Sequence, residues 1–285
     1  MRQTEDKVLA PLTTIGIGGT AQRYYEPESI SEVQNLIGQA TALKSRVHIL
    51  GGGSNLLVQE KRLSGRVVKF GEHLSRFDFA GKHLRAQAGA SLAKIVTECA
   101  RRGLSGFEWA AGLPATIGGA VAMNAGAFET SIADVLDWVR VVEKSGDCRK
   151  ISRRDLQLSY RSSPFPEAGV IVEAQFTLEV RNTEVVRENI RKNHRLRRQT
   201  QPLSEKSAGS VFKNPPGESA GALIDAAGLK GLREGDAMIS KKHANFIINC
   251  GGARFADVLR LIERVRHRIS NYYDIDLELE LQIIK

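Results

Sequence analysis

Two glycine-rich stretches are places where bare backbone can do chemistry. In His48-Ile-Leu-Gly-Gly-Gly-Ser-Asn-Leu-Leu-Val58 an apolar run breaks into Gly51, Gly52 and Gly53, adds Ser54 and Asn55, and resumes at Leu56. Three successive residues without Cβ leave amide N–H groups unshielded and permit positive φ. Such a turn can fold into a concave nest for anionic oxygen, phosphate above all. Ser54 and Asn55 would add side-chain hydrogen bonds. The second stretch, Gly112-Leu-Pro-Ala-Thr-Ile-Gly-Gly-Ala-Val-Ala-Met-Asn-Ala-Gly-Ala-Phe128, has the composition of a facing jaw. Together they predict that the first half of the chain holds a large phosphate-bearing cofactor. The spacing is not that of the Rossmann fingerprint, whose glycines are interrupted and followed by a distant acid. A tight turn without a ligand would also account for the triplet alone.

Three further groups of residues have chemical potential. Tyr160-Arg-Ser-Ser-Pro-Phe165 is a turn that presents Arg161 between aromatics, and an ordinary surface β-turn accounts for it equally. Lys206-Ser-Ala-Gly-Ser-Val-Phe-Lys-Asn-Pro-Pro216 packs small residues, serines and an amide into a proline-bounded loop suited to binding. The closing Leu277-Glu-Leu-Glu-Leu-Gln-Ile-Ile284 alternates strictly, so one strand is expected, with Glu278 and Glu280 sharing a face. A solvated edge would explain both glutamates, and alternation does not say which one is functional.

The positioning elements follow from periodicity. Pro11 to Ala21 reads as strand and loop. Ser29 begins a capping box for a helix through Val33, Leu36, Ile37 and Ala40, and a strand from Val47 to Leu50 enters the glycine turn. Short strands are expected at 67–70 and 84–88, and Ser91 caps a helix that stops at Gly103. Cys99 lies on the apolar face of that helix, as core and not chemistry. Strands near 138–143 and 170–180 flank the Arg161 turn. Residues 183–200 form a basic helix, read as a solvated linker; tracking a phosphate backbone is the alternative, although no aromatic is present to stack bases. The predicted organisation is residues 1–182, a linker helix 183–203, and residues 204–285. In the last part a short helix starts at Ser219, Asn245–Asn249 is a buried strand, and Val258, Ile262, Val265 and Ile269 line one face of a longer helix.

Composition narrows the class. The 285 residues are 42% hydrophobic and 26% charged with a net charge of +9, which suits a globular protein with anionic ligands. Neither an apolar leader nor a run long enough to span a bilayer is found, so a cytoplasmic location is expected. Cys99, Cys148 and Cys250 are scattered, which predicts neither a zinc site nor a disulfide.

The ordered set Thr14-Ile-Gly-Ile-Gly-Gly19, Gly51 to Val58, Gly112 to Val121 with Met123-Asn-Ala-Gly126, Tyr160 to Phe165, Ser207 to Pro215, Gly228-Leu-Lys-Gly231, Lys242-His-Ala-Asn-Phe246 and the closing Leu-Glu-Leu-Glu strand resembles the UDP-N-acetylenolpyruvoylglucosamine reductase (MurB) family. The likeness runs from about Pro11 to the end, with the motifs in family order. Three departures sit beside the motifs. Ala115 and Glu129 stand where the family usually has glycine, and Lys206 where proline is common. The short interval from Arg161 to Ser210 is similar to the compact form that lacks an inserted tyrosine-bearing segment.

The resemblance implies an α+β protein: a two-part FAD-binding domain of the vanillyl-alcohol-oxidase type, then a C-terminal α+β substrate domain. It implies non-covalent FAD, NADPH as co-substrate, a UDP-sugar carrying an enolpyruvyl ether as substrate, and a monomer that binds neither nucleic acid nor membrane. The implied reaction adds hydride to the terminal enolpyruvyl carbon. That drives charge onto an already anionic carboxylate, so a cation or strong donor is required there. The family pattern carries this role to Arg161, a carboxyl role to Glu280 and proton donation to Ser210. Tyr160, Lys213 and Asn214 would orient substrate, although Lys213 also fits a plain surface charge. Gly51, Gly52, Gly53, Ser54, Asn55 and Leu56 would surround the pyrophosphate, with Gly112, Thr116, Gly118 and Gly119 along the flavin. Another FAD-linked oxidase or dehydrogenase of the same superfamily is the nearest alternative, and a nucleic-acid-binding protein a remoter one.

Overall fold

The structure is a computed structural model that describes every residue except Pro166. Helix and strand are mixed throughout, in keeping with the α+β expectation, and two compact units divide the chain. The first contains 1–5, 22–52 and 64–195; the second contains 6–21, 53–63 and 196–285. Each unit draws on separated stretches of the chain. One break falls inside the glycine triplet, between Gly52 and Gly53, and another inside the basic helix Thr183–Thr200.

The first unit is built on an antiparallel sheet with strand order Cys148–Ser152, Leu136–Val142, Val170–Thr177, His83–Gln87, Phe77–Ala80. The helices Leu92–Arg102 and Ile117–Ala122 contribute Ile95, Cys99, Ile117 and Val121 to one buried cluster with Phe107 and Phe176. Those two phenylalanine rings meet edge to face at 5.2 Å. Cys99 is core as expected, and burial pushes its thiol up to about 12. Ser91 accepts from the Lys94 amide at the start of its helix, and Gly103 ends it at φ +66, the left-handed conformation that glycine tolerates. A smaller cluster places Val33, Leu36 and Ile37 of the helix Ile30–Ala42 against Val68 and Val142. Beside it the strand Val47–Leu50 pairs in parallel with Leu63–Lys69, so that Leu50 lies opposite Lys69.

The second unit carries an antiparallel sheet in the order Lys206–Ser210, Phe246–Asn249, Ala237–Ile239, Arg233–Glu234. The helix Phe255–Tyr273 turns Val258, Leu261, Ile262, Val265 and Ile269 into a core completed by Ile15, Ile17, Phe212 and Leu277. Three expectations need correction. Pro11 to Ala21 has its loop at 13–19, but a 3-10 turn over Ala10–Leu12 precedes it and the strand begins only after it, at Thr20. The stretch after Lys206 starts as a strand, because Lys206 and Ser207 pair with Asn249 and Ile248. The last alternating run is also not one strand, since regular pairing is confined to Gln282–Ile284 beside Leu56–Val58.

The hairpin Gly126–Ser131 puts Glu129 at a position that favours glycine. Ala127 pairs with Thr130 across a two-residue loop in which Phe128 and Glu129 have φ of +52° and +64°. Positive φ at both central residues is the type I′ geometry that favours Asn-Gly, and an L-residue there costs about 1–2 kcal/mol. Part of that is offset because glycine has more unfolded-state freedom to lose. Glu129→Gly is expected to stabilise the chain by about 0.5–1 kcal/mol in a urea titration; a loss of stability would show that the glutamate side chain itself holds the hairpin.

Candidate active site

In the second unit the segment from Ser210 to Lys213 is held on both sides. Ser210 lies opposite Phe246 in the sheet. The Val211 amide then donates to the Asn245 carbonyl at 2.9 Å, and the Phe212 amide donates to Asn245 Oδ1 at 2.9 Å. Asn245 Nδ2 returns a bond to the Phe212 carbonyl at 2.8 Å. A buried side-chain amide thus pairs with a neighbour's N–H and C=O as a second strand would, where the real strand has diverged.

On the other side, the Lys213 amide donates to the Glu278 carbonyl at 2.8 Å, and Phe212 bridges Leu279. The Val211 carbonyl then accepts from two successive amides, Glu280 at 2.9 Å and Leu281 at 3.2 Å. This doubled contact is a bulge. Beyond it the chain leaves Val211 and pairs with Leu56–Val58. The break separates the two glutamates that alternation left equivalent. Glu278 is exposed and meets Lys213 Nζ at 3.2 Å, whereas Glu280 is half-buried at the bulge. Lys213 is therefore engaged by a surface carboxylate. Asn214 Oδ1 accepts from the Ala220 amide at 3.1 Å, at the entry to the helix Ala220–Ala226.

The second half of the glycine turn is tied to the same frame. Asn55 Nδ2 donates to the Glu280 carbonyl at 2.9 Å, and the Gln282 amide donates to the Asn55 carbonyl at 3.0 Å. The Thr14 amide donates to the Gly53 carbonyl at 3.0 Å and its hydroxyl to the Ser207 carbonyl at 2.6 Å. Gly209, at φ +74°, lies against the Ser54 carbonyl. Of the predicted residues, Gly53, Asn55, Leu56, Ser210 and Glu280 thus belong to one hydrogen-bonded assembly, with Ser54 beside Gly209.

In the first unit the glycines serve contacts within the protein. A Cβ on Gly51 would stand 2.9 Å from Thr116 Oγ1, and one on Gly52 would run into the Pro114 carbonyl oxygen. A Cβ on Gly118 would stand 2.8 Å from that of Ala88. The two glycine stretches pack backbone on backbone, which is the reason for Gly51 and Gly52 that composition did not supply. Thr116 caps its helix by accepting from the Gly119 amide, and Gly112 sits at φ +83°. On Gly119 a Cβ would meet only Thr116 Oγ1, at 3.4 Å, so this face stays open.

A phosphate-bearing group fits the turn on a separate ground. Among the described residues, the amides of Gly52, Gly53, Ser54 and Asn55 donate to no protein acceptor, although Gly53 is buried and the others half-buried. N–H groups without a protein acceptor remain available as donors to anionic oxygen.

The Arg161 turn is held by the second glycine stretch. Asn124, buried and at φ +40°, donates to the Ser159 carbonyl at 2.7 Å and accepts from the Ala133 amide at 3.1 Å. Ser163 Oγ donates to the Ala122 carbonyl and accepts from the Phe165 amide. Arg161, itself at φ +50°, donates from Nη2 to the Gly126 carbonyl at 2.6 Å, with its guanidinium over the exposed Tyr160 ring. Asn124, Thr14 and Asn245 are the residues that site reasoning missed. Each stands inside one of the motifs quoted above, but only its distant partner reveals its use.

The basic helix packs one side on the first unit. Arg187 pairs with Glu184 and Arg191 with Glu188, while Val186 is buried and Ile190 packs on the first unit's core. No helix among the described residues is long and apolar enough to cross a membrane.

Comparison with known proteins decides the family. Residues 201–284 match the model of the UDP-N-acetylenolpyruvoylglucosamine reductase C-terminal domain, and residues 21–152 that of an FAD binding domain. UDP-N-acetylenolpyruvoylglucosamine reductase 1 of Bacillus cereus is 38% identical over 97% of this chain and 92% of its own. The Moorella thermoacetica reductase is 41% identical over 95% and 89%. The chain belongs to the UDP-N-acetylenolpyruvoylglucosamine reductase family. The crystal structure of the reductase from Thermus caldophilus superposes on it with a TM-score of 0.86 at 38% identity, covering 100% of this chain and 98% of that one. The Asn245 clamp lies inside the matched reductase domain.

Truncating Asn245 to alanine leaves the Phe212 amide and carbonyl without partners in a buried setting, at about 1–3 kcal/mol each. Asn245→Ala is expected to lower unfolding free energy by about 3 kcal/mol, and Asn245→Asp, which turns a buried carboxylate oxygen toward the Phe212 carbonyl, by at least as much at neutral pH. Equal stability of Asn245→Ala and the parent in urea would refute the clamp.

Proposed function

We propose that the chain catalyses the NADPH-dependent, FAD-mediated reduction of UDP-N-acetylglucosamine-enolpyruvate to UDP-N-acetylmuramate, a step in peptidoglycan precursor synthesis. The observation that carries this reading is the single hydrogen-bonded frame joining the Ser210 segment, the Glu280 backbone and Gly53 to Asn55, within a chain of the reductase family. The redox chemistry itself, hydride received from NADPH and delivered to the enolpyruvyl double bond, is what bound FAD supplies.

The residues handle anionic oxygen, accumulating charge and one proton. The open amides from Gly52 to Asn55 bind the cofactor's pyrophosphate, with Thr116, Gly112, Gly118 and Gly119 beside its flavin end. Arg161 neutralises charge that builds on the substrate carboxylate during hydride addition, because its guanidinium stays protonated and offers paired donors. Ser210 delivers its hydroxyl proton to the carbon next to that carboxylate. A serine is a weak acid, but the carbanion-like carbon is strongly basic, so the transfer runs downhill. Glu280, fixed at the bulge, orders the carboxylate end of the substrate, while Tyr160, Lys213 and Asn214 contact the rest of it. Hydride on one carbon and a proton on its neighbour complete the saturation of the double bond. Small water-soluble nucleotides as substrates accord with a cytoplasmic enzyme.

Ser210→Ala separates the half-reactions. Flavin reduction by NADPH is expected to stay within about threefold of the parent, while reoxidation by the enolpyruvyl substrate slows by about 10²–10⁴-fold. Stopped-flow absorbance of the flavin measures both. Loss of both half-reactions, or of neither, would overturn the role given to Ser210.

A further inference from the structure

Behind the glycine turn sits a lysine that the reaction does not use. Lys69 ends the strand Leu63–Lys69, opposite Leu50, and its Nζ donates to the Gly51 carbonyl at 2.8 Å. The side chain is half-buried, and no carboxylate lies within ion-pair distance among the described residues. Burial holds its ammonium below the usual lysine range, with Glu26 acting weakly in the opposite direction. A sheltered lysine that spends its charge on a backbone carbonyl needs a reason.

The Gly51 carbonyl and the Gly52 amide belong to one planar trans peptide, so they point in opposite directions. Anchoring the oxygen on Lys69 therefore aims the Gly52 N–H away from the lysine. That amide is the first of the four successive donors without a protein acceptor. A cation on the carbonyl also draws electron density from the nitrogen and makes its N–H a stronger donor, as in any polarised hydrogen-bond chain. Gly51 and Gly52 accept this orientation because both already pack bare against residues 114–116.

We propose that Lys69 is a positioning residue for the cofactor: it fixes and polarises the Gly51–Gly52 peptide so that the Gly52 amide binds a pyrophosphate oxygen of FAD. The inference rests on the cofactor reading above and adds to it a residue outside the turn. Its effect is confined to the phosphate-bearing part of the ligand. Riboflavin, which has the same ring and no phosphate, should not register it.

The test compares apoprotein binding of FAD and of riboflavin by flavin fluorescence, for the parent chain, Lys69→Met and Lys69→Arg, with urea midpoints of all three apoproteins. In Lys69→Met the FAD Kd is expected to rise about tenfold or more, equivalent to about 1.4 kcal/mol, while riboflavin binding stays within twofold. Lys69→Arg should keep FAD binding within about threefold, because a guanidinium can still reach the carbonyl. The difference between parent and Lys69→Met should narrow as salt is raised. Equal weakening of FAD and riboflavin would reduce Lys69 to a structural support, and unchanged FAD binding in Lys69→Met would overturn the proposal outright. If Lys69→Met proves unstable, Lys69→Leu, which also lacks the charge and the donor, takes its place with the same expected rise in FAD Kd and the same overturning result. A parent chain that takes up neither flavin overturns the cofactor reading instead, which is a different result.

Discussion

The closing segment of the chain has to serve two neighbours, and one carbonyl lets it do so. Val211 accepts from both the Glu280 and Leu281 amides. Before that point the segment runs antiparallel to Phe212 and Lys213; after it, residues 282–284 run parallel to Leu56–Val58. A straight strand could not reach both partners. The bulge turns the backbone once, and Glu280 sits at the turn. Leu277 and Leu281 stay buried on either side, so the apolar rhythm survives while the hydrogen-bonding partner changes.

The same economy appears at the glycines. Bare backbone is commonly read as room for a ligand, but here Gly51, Gly52 and Gly118 mainly give other protein atoms room. The orientation of the amides follows from where the carbonyls of the same peptides are anchored. Lys69 holds the Gly51 carbonyl and Thr14 that of Gly53. Those two anchors aim the Gly52 and Ser54 N–H groups away from them. A nest is thus made by its rear contacts as much as by its glycines.

Local pattern was readable where the determinants are local. The helix Ile30–Ala42 starts at Ser29, whose side chain accepts from the Glu32 amide, and the helix Leu92–Arg102 stops at Gly103, both as spacing and capping indicate. The helix face of Val258, Ile262, Val265 and Ile269 is likewise buried. What could not be read is where a segment finds a remote partner. Nothing in Leu-Glu-Leu-Glu announces a change of partner, so one uniform strand was expected and Glu278 looked equivalent to Glu280. Residues 6–21 and 53–63 join the C-terminal unit through contacts almost the length of the chain away, which no window of residues records. The candidate site residues follow from motif resemblance; Thr14, Asn124 and Asn245 stand inside the same motifs, but their holding roles are visible only in the structure.

The account's central claim is that the bulge, and not the alternation, selects the working glutamate. Glu280→Gln and Glu278→Gln should be compared in rapid-mixing reoxidation of NADPH-reduced enzyme by the enolpyruvyl substrate. The account predicts a fall of about 10²-fold or more for Glu280→Gln and a change within about threefold for Glu278→Gln. Equal effects, or a larger effect at Glu278, would contradict it.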